Sequence, residues 1–271
     1  MKTIVITDLD DTLLTSKKEL SQRNIQSLQT LRNKGIIVTV ATGRPLHFIK
    51  KVKGLELLSD YFITSTGLGI WSCSRKEMIY SRSFSTKKTK EISSFLIKNG
   101  ISFMRHKTLP DNHFCSVYRS PDKNEDLERR AENFRDFCSP LVNEKEEEAS
   151  VFMLPGITDP AIIDFFQEKL EEISVEILTS PYNRDKFWVE ILPEDVNKGS
   201  AVTWLTRHLN VSEGERIVIG NDHNDKTMLS LSERSFVVAN APEELKERFT
   251  ATDSDCNDNG FTEALLKAGL I

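Results

Sequence analysis

The stretch Ile4-Val5-Ile6-Thr7-Asp8-Leu9-Asp10-Asp11-Thr12-Leu13-Leu14 constrains this chain more than any other. A short apolar run rich in β-branched residues reads as a buried strand. It ends in three carboxylates within four positions. Asp8 and Asp10 stand two apart, so in extended backbone their side chains leave on the same side. Two carboxylates that close repel, and unaided one of them keeps its proton. A hard cation such as Mg2+ removes the conflict. A strand end with paired carboxylates and a following Thr suits aspartate-based phosphoryl transfer: one carboxylate attacks phosphorus and the other moves the leaving group's proton. Taken alone, the run is equally a solvated turn after a first strand.

The chain beyond it supplies three more junctions of the same kind. Ser21 to Lys34 carries Ile25, Leu28 and Leu31 at helical spacing and stops at Gly35. Ile36 to Ala41 is a second, nearly continuous apolar strand. Strand, helix and strand, with both strands apolar on both faces, make a parallel βαβ unit. The second strand closes on Thr42-Gly43-Arg44-Pro45, where Gly permits a tight turn and Pro suits a first helical turn. Thr42 therefore sits at the ligand-binding edge of an α/β sheet, facing a helix N-terminus that favours phosphate. A plain N-cap is an equal reading of Thr42. Tyr61 to Thr64 is a third strand, running into the pliant loop Ser65-Thr66-Gly67-Leu68-Gly69. Ile70-Trp71 and Met78 to Tyr80 form a hairpin expected to leave the sheet.

From about Ser81 to about Asp185 the grammar becomes α+β without acidic strand ends. Helices are expected at Thr86–Asn99, Asn124–Phe137 and Pro160–Glu172, and strands at Ile101–Arg105, Phe114–Arg119, Val151–Leu154 and Val175–Leu178. The acidic run Glu144–Glu148 reads as a solvated loop. The segment reads as an inserted second domain, with Phe187–Leu192 returning the chain to the first. Then comes Asn197-Lys198-Gly199-Ser200 at the start of a helix through Leu209. A cation there opposes the helix dipole, so something negative is expected beside Lys198. Arg216–Gly220 is an apolar strand ending in Asn221-Asp222-His223-Asn224-Asp225, a second cluster of oxygen ligands. A strand at Ser235–Ala239 and a helix at Gly260–Ala268 close the chain.

The net charge of −5 leaves no basic footprint for nucleic acid. Cys73, Cys115, Cys138 and Cys256 are scattered without a CxxC pair, so neither a disulfide framework nor a zinc site is implied. The first apolar run is too short for a signal peptide and is broken by Asp8, and no stretch is long enough to cross a bilayer. The expectation is a soluble cytoplasmic protein without nucleic-acid or membrane partners. In a parallel sheet the two acidic loops share one edge and meet if their strands are neighbours. Together they offer oxygen for a Mg2+ that also binds a substrate phosphate, while Thr42 and Lys198 supply a neutral donor and a positive charge.

With these motifs in order, the chain resembles the haloacid dehalogenase superfamily, and within it the Cof-type phosphatases with the α/β (type IIB) cap. The resemblance rests on Asp8-Leu9-Asp10-Asp11-Thr12, Ala41-Thr42-Gly43-Arg44, Asn197-Lys198-Gly199-Ser200-Ala201 and Gly220-Asn221-Asp222-His223-Asn224-Asp225 with Met228-Leu229. It implies an α/β fold: a Rossmann-like parallel-sheet core (1–80 and 187–271) with an inserted α+β cap (81–186). It implies Asp8 as the nucleophile and Asp10 as acid/base and, through its carbonyl, a Mg2+ ligand. Thr42 would bond the phosphoryl group, Lys198 would neutralise Asp8 and phosphate, and Asn221 and Asp225 would serve the metal. Thr66 and Gly67, with Gly43 and Arg44, would contact substrate. Asn221 stands where the family usually has Asp, which lowers the site's negative charge by one. Thr66-Gly67 stands where Asn-Gly is common, and Asp11 where Gly is frequent.

The implied activity is Mg2+-dependent hydrolysis of small phosphorylated metabolites, foremost sugar phosphates, with Arg44, Arg119, Arg184 and Lys186 as candidates for a substrate's second anionic group. Similar caps occur in sucrose-phosphate and mannosyl-phosphoglycerate phosphatases and in phosphomannomutase. A sugar-phosphate-binding regulator with a metal site weakened by Asn221 is the alternative outside catalysis.

Overall fold

The computed structural model describes residues 2–141, 147–183 and 185–271. The chain divides into two compact units, residues 1–80 with 197–271 and residues 81–196. Among the described residues the strands run, in chain order, β1 (Ile4–Asp8), β2 (Ile37–Ala41), β3 (Tyr61–Thr64), β4 (Gly69–Ser72), β5 (Glu77–Ser81), β6 (Phe103–His106), β7 (Cys115–Tyr118), β8 (Cys138–Pro140), β9 (Val151–Ile157), β10 (Ile173–Thr179), β11 (Phe187–Pro193), β12 (Arg216–Gly220), β13 (Ser235–Val237) and β14 (Thr250–Ala251). The longer helices are α1 (Gln22–Asn33), α2 (Thr86–Lys98), α3 (Glu125–Asn133), α4 (Ile162–Lys169), α5 (Lys198–Leu209) and α6 (Gly260–Lys267).

The first unit is built on a sheet of order β14-β13-β12-β1-β2-β3-β4-β5. β1 pairs in parallel with both β2 and β12. Its alternating side chains reach two cores. Val5 joins Leu28 and Leu31 of α1 and Phe261 and Leu265 of α6. Ile4 and Ile6 join Val202 and Leu205 of α5. With helices on both faces the strand must be apolar throughout, which is why Ile4, Val5 and Ile6 are all fully buried. The chain leaves β1 toward β2 on one side and returns to β12 on the other. That reversal of strand order opens a crevice at the C-terminal ends of β1 and β12, where ligands of such sheets sit.

The second unit has the sheet order β10-β11-β9-β6-β7-β8. α2 and α4 cover one face through Ile92, Leu96 and Phe166, which pack on Phe103, Phe152, Leu154, Val189 and Ile191. α3 covers part of the other face, with Leu127 against Met104, Val117, Met153 and Trp188.

Several elements differ from the sequence expectation. The hairpin of β4 and β5 does not leave the sheet but extends it, β4 pairing antiparallel with β3. Phe187–Pro193 is not a link back to the first unit: it is an interior strand of the second sheet, paired with both β10 and β9. The units accordingly divide at Asn197 rather than at Phe187. The helix expected to Phe137 ends at Asn133, and the chain then turns into β8, a short edge strand without a pattern of its own. Glu147 and Glu148 of the acidic run are exposed; Glu144 and Arg184 lie outside the described residues. No described helix is long and apolar enough to cross a membrane.

Phe152 is fully buried, with ring centroids 5.5 Å from Phe103 and 6.0 Å from Phe84. Truncating it removes a ring from the middle of this core, so Phe152→Ala should destabilise the second unit by about 3–5 kcal/mol in urea unfolding. A loss below about 1 kcal/mol would show that the unit is not packed around this ring.

Candidate active site

The strand character of β1 stops at Asp8, and the backbone then turns tightly through Leu9–Leu13. The turn closes when Leu14 N–H donates to the Leu9 carbonyl at 2.8 Å. It requires Asp11 in the left-handed region (φ 58°), which Asp tolerates better than most residues. The expectation that Asp8 and Asp10 project to one side as strand neighbours is therefore not met: the strand has ended, and their carboxylates take different partners.

Asp8 lies at the crevice beside Ala41, its register partner on β2, and so next to Thr42. One oxygen, Oδ1, accepts from Lys198 Nζ at 2.7 Å, and the same ammonium donates to Asp225 Oδ1 at 2.6 Å. Lys198 opens α5, which is capped by Asn197: its Oδ1 accepts from Ser200 N–H, and Ser200 Oγ accepts from Asn197 N–H. The ammonium, 1% exposed, thus finds at a helix start the negative charge that position demands. Burial would strip its proton, but the Asp225 and Asp8 carboxylates outweigh that and push the Lys198 pKa up. Two carboxylates share this one cation. Burial, with Asp225 adding repulsion against Lys198's attraction, pushes Asp8 from 3.8 up to about 7.

Asp10 is held elsewhere. Arg44 Nε and Nη2 grip its two oxygens at 2.7 and 2.5 Å, and Lys18 Nζ lies 3.3 Å away. Although burial works the other way, this bidentate pair holds Asp10 below the usual carboxylate range. Lys18, which nothing in its local pattern singled out, also reaches Asp11 at 2.8 Å.

Asn221 follows β12 directly. Its Oδ1 accepts from Thr12 Oγ1 at 2.9 Å and stands 3.3 Å from both Asp8 Oδ2 and the Asp10 carbonyl oxygen. Three oxygens without a proton between them thus converge. Either the amide turns over, so that its NH2 faces these neighbours with two hydrogens to donate, or a cation sits among them. A carboxylate, a carbonyl and an amide oxygen are the hard donors that Mg2+ takes. The excess negative charge that lifts Asp8 points the same way. Among the described residues no cluster of three His, Cys, Asp or Glu side chains could hold a metal ion, because two of these three donors are of other types.

Asp225 and Asp222 divide differently from a simple acidic cluster. Both oxygens of Asp225 are engaged, Oδ1 by Lys198 and Oδ2 by the backbone N–H groups of Asn221 and Asp222 at 2.8 and 3.1 Å. It shapes the Asn221 loop from behind. Asp222 is exposed and accepts from His223 N–H, and His223 is exposed as well.

Glycine lets these loops touch. A Cβ on Gly220 would meet Asp225 Oδ2 at 2.7 Å; one on Gly67, whose φ is 101°, would meet the Asn197 carbonyl oxygen at 2.3 Å. Gly67 thus seats its loop against the start of α5. Thr66 N–H donates to the Thr42 carbonyl at 3.1 Å, and Thr42 Oγ1 accepts from Arg44 N–H at 3.1 Å. The structure therefore brings Asp8, Asp10, Thr42, Gly43, Arg44, Thr66, Gly67, Lys198, Asn221 and Asp225 to one end of one sheet, within the first unit. Arg119 and Lys186 belong to the second unit, where Arg119 pairs with Glu128 at 2.7 Å.

The chain is similar to known proteins over most of its length. Residues 5–265 match the family profile described as haloacid dehalogenase-like hydrolase. The chain is 27% identical over 292 aligned positions to a 5-amino-6-(5-phospho-D-ribitylamino)uracil phosphatase of Bacillus subtilis, covering 98% of each. It is 25% identical to an HMP-PP phosphatase of Escherichia coli O157:H7, over 88% of this chain and 85% of that one. Among solved structures, the phosphatase BT1666 of Bacteroides thetaiotaomicron superposes with a TM-score of 0.81 at 19% identity, over 100% of this chain and 96% of that one. The HAD subclass IIB sugar phosphatase BT4131 superposes with a TM-score of 0.78 at 19% identity over the whole of both chains.

Asp8, with its proton held up to about pH 7 in the folded state against 3.8 ordinarily, favours folding at low pH. That contribution is lost as pH rises from about 4 through 7. Asp8→Asn cannot ionise, so in chelator-treated buffer its stability relative to wild type should grow over that interval, by at most about 4 kcal/mol. A melting-temperature difference that stays flat from pH 4 to 8 would contradict the strained carboxylate. Gly220→Ala should lower the melting temperature and disturb the Asn221 loop, at a cost of about 1–3 kcal/mol for overpacking.

Proposed function

The chain belongs to the haloacid dehalogenase-like hydrolase family, and on that premise we propose that it is a Mg2+-dependent, cytoplasmic phosphatase of small phosphorylated metabolites, sugar phosphates foremost. The names borne by its relatives and neighbours, a phosphoribitylamino-uracil phosphatase and a sugar phosphatase, support the substrate class. The observation that carries the reading is Lys198 Nζ held between Asp8 at 2.7 Å and Asp225 at 2.6 Å. Asp8 Oδ2 is left facing Asn221 and the Asp10 carbonyl.

In the first step Asp8 Oδ2 attacks phosphorus. An Asp8 O–P bond forms, the ester P–O bond breaks, and a solvent proton reaches the departing oxygen by way of Asp10. In the second, water attacks the acyl-phosphate, Asp10 takes the water's proton, and the Asp8 O–P bond breaks to free phosphate. Lys198 works against protonation of Asp8 and neutralises the phosphoryl oxygens; the Thr42 hydroxyl donates to them. The Arg44 clamp presents Asp10 in its base form, the one that activates water. Gly43 and Arg44, with Thr66 and Gly67, line the approach to phosphate. Mg2+ would be held by the Asp8 carboxylate, the Asp10 carbonyl and the Asn221 amide oxygen, with Asp225 orienting that loop. When bound, it supplies the positive charge that lets an ionised Asp8 face an anionic phosphate. Because Asn221 is neutral, the ion is held more weakly than by a second carboxylate.

With p-nitrophenyl phosphate and saturating Mg2+, Asp8→Asn and Lys198→Met should each lower turnover by at least about 10³-fold. Chelation should abolish wild-type activity and added Mg2+ restore it. Near wild-type turnover by Asp8→Asn refutes the reading. A screen of phosphorylated metabolites for phosphate release identifies the substrate.

A further inference from the structure

Cys115 and Cys138 stand directly opposite one another on the parallel neighbours β7 and β8 of the second unit. Neighbouring strands lie about 4.8 Å apart, inside the backbone separation that a disulfide spans. Their Sγ atoms are 3.0 Å apart, with one thiol donating to the other. The two sulfurs differ in surroundings. Cys115 is buried, whereas Cys138, on the edge strand, is partly exposed. Arg130 lies on the α3 side of the pair, its guanidinium over the rings of Phe134 and Trp188 at 3.6 and 5.1 Å.

Hydrogen bonding to Cys115, helped by the charges of Arg130 and Arg119 against the cost of burial, holds the Cys138 thiol below its ordinary value. The same hydrogen bond, with burial, pushes Cys115 up. The partly exposed cysteine is thus also the one whose thiol is held lower, with the sulfur of a buried cysteine 3.0 Å from its own. The remaining thiols, Cys73 and Cys256, are in the first unit, and burial raises both, Cys73 to about 12.

We propose that Cys115 and Cys138 form a reversible, peroxide-sensitive dithiol, with Cys138 as the attacking sulfur and Cys115 as the resolving one. The Cys138 thiolate attacks a hydroperoxide, the O–O bond breaks, and Cys138 becomes a sulfenic acid as hydroxide or alkoxide leaves. The Cys115 sulfur then attacks Cys138 Sγ. The S–S bond forms, the S–OH bond breaks, and the Cys115 proton departs with that oxygen as water. Two thiols lose two electrons in all, and one hydroperoxide is reduced. The product fastens the edge strand β8 to β7 and closes the loop that contains α3. A soft-metal site is the other chemistry open to paired thiols. His106 is the register partner of Cys115 on β6, but no such three-ligand group is arranged for a metal among the described residues.

The full-length protein treated with a small molar excess of hydrogen peroxide should lose two of its four titratable thiols and the mass of two hydrogens. Digestion should give one linked peptide pair, Cys115 to Cys138, which dithiothreitol reverses. Cys115→Ser should stop at a dimedone-trapped sulfenic acid on Cys138, and Cys138→Ser should resist oxidation at Cys115. Four thiols remaining under peroxide, a link through Cys73 or Cys256, or over-oxidation of Cys138 in the wild type without a link would each overturn the proposal. The wild-type measurements stand without either variant and do not depend on phosphatase activity.

Discussion

One buried ammonium holds the first unit's functional end together. Lys198 enters from the start of α5, Asp8 from the end of β1 and Asp225 from the loop after β12. None of the three could be buried alone, since an isolated ion in a low-dielectric setting neutralises or draws in water. A cation between two anions leaves one unit of negative charge over. That residue of charge appears as the raised Asp8 pKa, and it makes the oxygens beside Asn221 attractive to a divalent ion.

The charges are also kept apart by function. Asp8 is tied to a lysine on one side of the turn and Asp10 to an arginine on the other. The two carboxylates stand two residues apart, one at the end of β1 and one in the bend that follows, yet one is driven up and the other down. Distinct cations on distinct elements, Lys198 at the start of α5 and Arg44 after β2, set these two environments apart. The second unit contributes a mixed sheet with its own core, so its packing does not rest on this charge network.

The parts of this arrangement visible in the sequence were those encoded locally. Ile4 to Ile6 announced a strand buried on both faces, and Lys198 at a helix start announced a missing anion. What the sequence hid depended on long-range partners. Lys18 sits in a polar turn and meets Asp10 and Asp11 only once the chain has folded back after the bend. Asp225 looked like another metal ligand until its two oxygens were found occupied by Lys198 and backbone N–H groups. Phe187–Pro193 is an apolar run interrupted only by Glu190, and nothing in that run says which sheet it joins. β8 is three residues long, too short for any periodicity to register.

Gly67 and Gly220 place backbone against backbone or backbone against carboxylate where a methyl group would collide. At both positions the close approach leaves no room for a Cβ, so the spacing of these loops is fixed by main-chain geometry. A protein engineer therefore has no methyl-sized freedom at Gly67 or Gly220, and any redesign of this end of the sheet must leave both in place.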